Sequence, residues 1–76
     1  MAVVLAYVLI LAQSGREYEI IESLKEFNQV RDARTTLGSW DIIVSVESES
    51  IPDLYVLVDR IRALRHVERT STLITR

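Results

Sequence analysis

Seventy-six residues, 49% of them hydrophobic, with a formal charge of −2, describe a single small domain (residues 1–76) whose own core supplies only a few kcal/mol at this length. The chain has no cysteine and one histidine. This excludes disulfide staples, thiolate metal sites and His-cluster metal sites, and leaves association of copies as the common remedy. Eleven acidic residues stand against nine scattered basic ones, so no concentrated cationic face is offered to a nucleic acid backbone.

The first element is an apolar run from Met1 to Ala12. No basic stretch precedes it, as a secretory signal requires. Gln13-Ser14-Gly15-Arg16 ends it well short of the ~20 apolar residues of a membrane span. The run therefore reads as a strand of a cytoplasmic protein with no membrane partner. Val4, Ala6, Val8 and Ile10 fall on one face, and Val3, Leu5, Tyr7, Leu9 and Leu11 on the other. Both faces are apolar, which predicts a central strand covered on both sides.

Ser14 and Glu17 have the Ser-x-x-Glu spacing of a capping box, and a helix is expected from there to about Phe27. Ile20, Ile21, Leu24 and Phe27 form its apolar stripe, and Asn28 is suited to a left-handed cap. Val30 to Leu37 alternates as a second strand. Gly38-Ser39-Trp40 turns the chain into a third strand, Ile42 to Val46, and the short connection predicts an antiparallel hairpin. Ser50 starts a second helix, with Pro52 in its first turn and Asp53 repeating the box. Leu54, Leu57, Val58, Ile61 and Leu64 are its buried stripe. Arg60, Arg62 and Arg65 complement the dipole at its C-terminal end. Val67 to Thr75 is the last strand.

The order predicts an α+β fold of ferredoxin-like βαββαβ type: a four-stranded antiparallel sheet with two helices on one face. Two helices cover only one side of such a sheet, yet the first strand is apolar on both. Each aliphatic side chain buried contributes about 1.5–3 kcal/mol, so the second face is expected to be hidden by another copy, in a dimeric α/β-barrel-like association.

For catalysis the residues offer little. His66 is the sole imidazole and lacks the orienting partners that a triad requires. Glu17/Glu19 and Glu47/Glu49 read as solvated surface pairs rather than an acid–base pair. Two stretches suit ligand binding better. Gly38-Ser39-Trp40-Asp41 combines a turn that frees backbone N–H groups, an aromatic wall and an anion. Thr70 and Thr72 share one face of the last strand. A zwitterionic amino acid needs a carboxylate for its ammonium and donors for its carboxylate. Asp41 fits the first role, and the turn amides of Gly38 with Thr70 and Thr72 fit the second. A capped hairpin with ordinary strand threonines is the plainer reading of the same residues.

At these positions the chain resembles the effector-binding, or RAM, domain of the leucine- and asparagine-responsive transcription regulators, the Lrp/AsnC family. The carriers are Ala6-Tyr7-Val8-Leu9-Ile10, Gly15 with Glu17, the run Thr36 to Val46 containing Gly38-Ser39-Trp40-Asp41, and Val67-Glu68-Arg69-Thr70-Ser71-Thr72-Leu73-Ile74. The resemblance covers Ala2 to Thr75. It implies dimers packed sheet to sheet, higher oligomers, an amino-acid pocket at subunit interfaces involving Gly38, Trp40, Asp41, Thr70 and Thr72, and no cofactor.

Two departures stand out. No helix-turn-helix precedes the first strand, so the resemblance implies a stand-alone form that acts on full-length regulators by co-assembly. And Arg65-His66 occupies the place of the family's frequent Pro-Gly, where a left-handed backbone costs a non-glycine residue ~1 kcal/mol. An amino-acid sensor is thus the leading expectation, ahead of a purely structural oligomerisation partner. A small enzyme of the dimeric α+β barrel type ranks last, because the helix-facing positions are mostly aliphatic.

Overall fold

A computed structural model describes residues 3–76, and Met1 and Ala2, which open the expected first strand, lie outside the described residues. The elements follow the expected order: β1 (Val4–Ala12), α1 (Glu17–Leu24), β2 (Val30–Thr35), β3 (Ile42–Ser48), α2 (Ile51–Arg62) and β4 (Val67–Ile74). The four strands form one antiparallel sheet in the order β2-β3-β1-β4. β1 is therefore central, as its two apolar faces require.

Alternation along β1 sets the two layers. Ala6, Val8, Ile10 and Ala12 are buried, and they join Ile42, Val44 and Val46 of β3 in the core. The helices complete that layer with Ile20 and Leu24 from α1 and with Leu54, Leu57, Val58 and Ile61 from α2. The interposed residues of β1 point the other way, and Leu5 and Tyr7 are exposed there. A bulge between Val30 and Asp32 lets Val30 pair with Val46 and Ala33 with Val44. Both β2 residues then reach the helix side although they are an odd number of positions apart.

The two helix starts differ. Ser50 is extended (φ −154°, ψ 164°) and its side chain accepts from the N–H of Asp53 at 3.2 Å, with Pro52 in the first turn. The matching box at Ser14 does not form: the cap position is Arg16, which has no side-chain cap. The N–H of Arg16 instead donates to the Gln13 carbonyl at 3.0 Å, and Gly15 takes φ +79°. That is the pattern of a type II turn, and it consumes Ser14 as a turn residue. Glu17 still reaches back, accepting from the N–H of Gly15 at 3.1 Å.

Other boundaries move for equally local reasons. Past Leu24 the chain tightens into i to i+3 bonds, from Lys25 to Glu22, Glu26 to Ser23 and Phe27 to Leu24, the narrower winding common at helix ends. Asn28 does not take the left-handed cap; among the described residues His66, at φ 75°, is the only non-glycine with positive φ. β2 stops at Thr35, and Leu37 beyond it is fully exposed.

Candidate functional site

The β2–β3 hairpin is held at its base by four bonds. Gly38 turns the chain at φ +127°, a conformation that side chains resist. The N–H of Thr36 then donates to the Asp41 carbonyl at 2.9 Å, and the Thr36 hydroxyl donates to the Trp40 carbonyl at 2.6 Å. Asp41 joins the hairpin to the end of β1: its N–H donates to the Ile10 carbonyl at 2.9 Å, and its Oδ2 accepts from the N–H of Ala12 at 2.9 Å. One carboxylate oxygen thus satisfies a strand-end donor. The other accepts nothing from the described residues and remains available. Trp40, the preceding residue, is half-buried.

Thr70 and Thr72 pair with Ile10 and Val8 across the β1–β4 ladder. Those partners lie under the helices, so both threonines project to the helix side of the sheet. There they line a groove of about 580 Å³ with Tyr55, Val58, Asp59 and Arg62 of α2. Ile10 bonds Asp41 on one flank and pairs with Thr70 on the other. The hairpin and Thr70 therefore sit at the same end of the sheet, two strand spacings or roughly 10 Å apart across β1. Within one protomer Gly38, Trp40 and Asp41 do not share a cavity with the threonines. Asp59 was not singled out from the sequence. Its spacing from Arg62, three residues along a helix, was the available signal.

His66 joins the two crossover turns at this end. Its carbonyl accepts from the N–H of Gln13 at 2.8 Å. Its Nδ1 lies 2.8 Å from the Gln13 side-chain oxygen and its Nε2 lies 2.9 Å from Glu19. Arg16 donates to Glu19 at 2.8 Å, and this bond lowers the Glu19 carboxyl below its ordinary value; desolvation opposes it, and the charges of Arg16, His66 and Arg65 add to it. Among the described residues no group of three or more His, Asp or Glu is arranged for a metal, and no helix is long and apolar enough to cross a membrane.

The sheet face opposite the helices has no cover among the described residues. Val3, Leu5, Tyr7 and Leu73 are 42–55% exposed, and Leu9, Leu11 and Ile43 lie partly open between them. Arg31 with Glu47 and Arg34 with Asp32 form ion pairs along the β2 border. A contiguous apolar face with a charged rim marks a contact surface.

Comparison with known proteins follows the same lines. A family model described as the Lrp/AsnC ligand binding domain matches residues 5–75. The regulatory protein AsnC of Haemophilus influenzae is 31% identical over 74 residues, covering 95% of this chain and 49% of that protein. The chain spans about half the length of the curated relatives it matches. Among solved structures, FFRP-DM1 is 32% identical with a TM-score of 0.89, covering 96% of this chain and 99% of that one. TTHA0845 from Thermus thermophilus is 30% identical with a TM-score of 0.91, covering 96% and 92%.

Proposed function

The chain belongs to the Lrp/AsnC ligand-binding domain family, and from that premise we propose that it is an oligomeric effector-binding module, in which copies close their apolar sheet faces over one another and the assembly takes up a small zwitterion, an amino acid. The observation that carries this reading is the uncovered face built by Leu5, Tyr7 and Leu73. Several apolar side chains left in water each forgo about 1.5–3 kcal/mol, and a second copy is the simplest surface of matching shape and character. The same face allows co-assembly with full-length regulators that carry a similar domain. For the ligand, support comes from Gly38, Trp40, Asp41 and Thr70 lying at one end of the sheet, with Thr72 two residues further along β4 on the same face, a place that a neighbouring copy can complete. The family's curated relatives are transcription regulators, and His66, engaged on both ring nitrogens, is poorly placed as the base of a barrel-type enzyme.

Two measurements on the purified chain test this: light scattering for assembly and calorimetry with each of the twenty amino acids. The expected result is a dimer or larger that gives saturable heat with at least one amino acid. An assembly silent toward all of them makes the chain a structural partner and overturns the sensing role; a monomer overturns the reading altogether.

A further inference from the structure

His66 stands where the chain can least easily hold a side chain. Its φ of 75° is left-handed, and among the described residues no other non-glycine takes such an angle. That backbone carries the ring in between the β1–α1 and α2–β4 turns, where its side chain is only 16% exposed. A glycine here relieves the backbone but brings no ring. A residue kept in a strained conformation points to a role for the group it carries.

The ring faces an acceptor at each nitrogen. Nδ1 lies 2.8 Å from the Gln13 side-chain oxygen, and Nε2 lies 2.9 Å from Oε2 of Glu19. A neutral imidazole has one N–H and satisfies one of these acceptors; the imidazolium has two and satisfies both. Glu19 decides which nitrogen keeps its proton in the neutral ring. Arg16 holds the other oxygen of that carboxylate at 2.8 Å, and this bond keeps the group below its ordinary range. Glu19 is therefore an anion wherever histidine titrates, and it fixes Nε2 as the standing donor. Nδ1 is then the nitrogen whose proton comes and goes. The other charged groups on the segments that meet here are Glu17, turned back to the N–H of Gly15, Arg65 before the ring, Glu68 two residues after it, and Asp41, whose carboxylate holds Ala12. Among the described residues none of these pairs with the ring.

We propose that His66 is a proton-operated latch between the two crossover turns: a proton taken from water at Nδ1 closes a bond to the Gln13 side-chain oxygen, and its return to water breaks that bond and makes the Gln13 amide turn over. In the closed form both ring contacts are charge-assisted, and such bonds are about twice as strong as neutral ones. In the open form Nδ1 presents a lone pair, and Gln13 meets it with its amide N–H or swings away. The closed form is present while the ring is charged and is lost as pH rises through the histidine range of about 5–8. The latch reaches the β2–β3 hairpin through the backbone. The N–H of Gln13 donates to the His66 carbonyl at 2.8 Å, a bulge after Leu11 sets Ala12 opposite Val67, and the N–H of Ala12 is held by Asp41 at 2.9 Å. Gln13 thus stands between the ring and the Asp41 bond, so a change of grip at the turn is felt at the base of the hairpin. The latch needs no effector.

The test uses the untagged full chain, in which His66 is the only histidine, labelled with 15N and titrated from about pH 5 to 8. The ring nitrogens are expected to show Nε2–H alone in the neutral form and both N–H groups in the charged form. The Gln13 side-chain amide and the Ala12 and Asp41 backbone amides are expected to follow the ring through the same transition. Exchange protection of the Gln13 backbone amide, corrected for its intrinsic rate, is expected to be about threefold or more greater at the acid end. In Gln13→Met the ring still titrates, but Ala12 and Asp41 no longer follow it and the protection no longer depends on pH. In Glu19→Gln the neutral ring is expected to show a mixture of its two N–H forms. Equal protection at both ends of the titration, or Ala12 and Asp41 following the ring unchanged in Gln13→Met, overturns the latch. A neutral ring protonated at Nδ1 in the parent overturns it as well, because Gln13 would then be held at every pH.

Discussion

His66 gives the sharpest test of how backbone and side chain trade against each other in this fold. Its φ of 75° lies where a Cβ is strained by about 1 kcal/mol relative to glycine. Against that strain stand two contacts, Nδ1 with Gln13 at 2.8 Å and Nε2 with Glu19 at 2.9 Å. The first is worth about 0.5–1.5 kcal/mol. The second is to an exposed, solvent-screened carboxylate and adds little. His66→Ala removes both contacts and keeps the strain, so a loss of about 0.5–1.5 kcal/mol is expected. His66→Gly removes both and relieves the strain, so its loss is smaller by about 1 kcal/mol. In a chain of this size that difference separates the two thermal midpoints by roughly 4–8 °C. Urea titrations of parent and both variants at one protomer concentration measure it, because association adds to apparent stability. His66→Ala equal to or more stable than His66→Gly would refute the strain argument.

Two further outcomes follow from local geometry. Ser50→Ala is expected to cost about 1 kcal/mol by leaving the Asp53 N–H without its cap, whereas Ser14→Ala, which removes no cap, is expected to stay within ~0.5 kcal/mol of the parent in the same denaturation assay. The lowered Glu19 carboxyl has a defined sign: its folded value lies below its unfolded one, so its contribution to stability is full above the unfolded value and is lost as pH falls through the folded value. Side-chain NMR is expected to show the Glu19 midpoint rising when Arg16→Gln removes the first cause of the shift; an unmoved midpoint contradicts that assignment.

Much of this architecture can be read from residue pattern because it depends on periodicity. Alternation places Ala6, Val8 and Ile10 against the helices and Leu5, Tyr7 and Leu9 on the open face, and Ser50-Ile51-Pro52-Asp53 announces α2. What the pattern conceals depends on single backbone angles. Ser14 and Ser50 each stand three residues before an acid, but Gly15 turns its segment and so takes Ser14 out of the capping position. The left-handed angle falls on His66 rather than on Asn28, a choice that neither residue type announces. Site residues divide in the same way. Asp41 is visible as the anion of a hairpin, but its bond to the Ala12 N–H depends on a strand 29 residues away. Thr70 and Thr72 are visible as a pair sharing a face. That this face looks under α2, toward Asp59 and Arg62, depends on the sheet order, which local pattern does not encode.

Assembly is decided at the uncovered side of β1. Multi-angle light scattering of the eluting protein at micromolar concentration measures this directly. A mass of two or more chains is expected, falling toward one chain when Tyr7→Glu places a charge in the middle of that surface. A parent protein that elutes as a single folded chain, with Leu5, Tyr7 and Leu73 left in water, would contradict it.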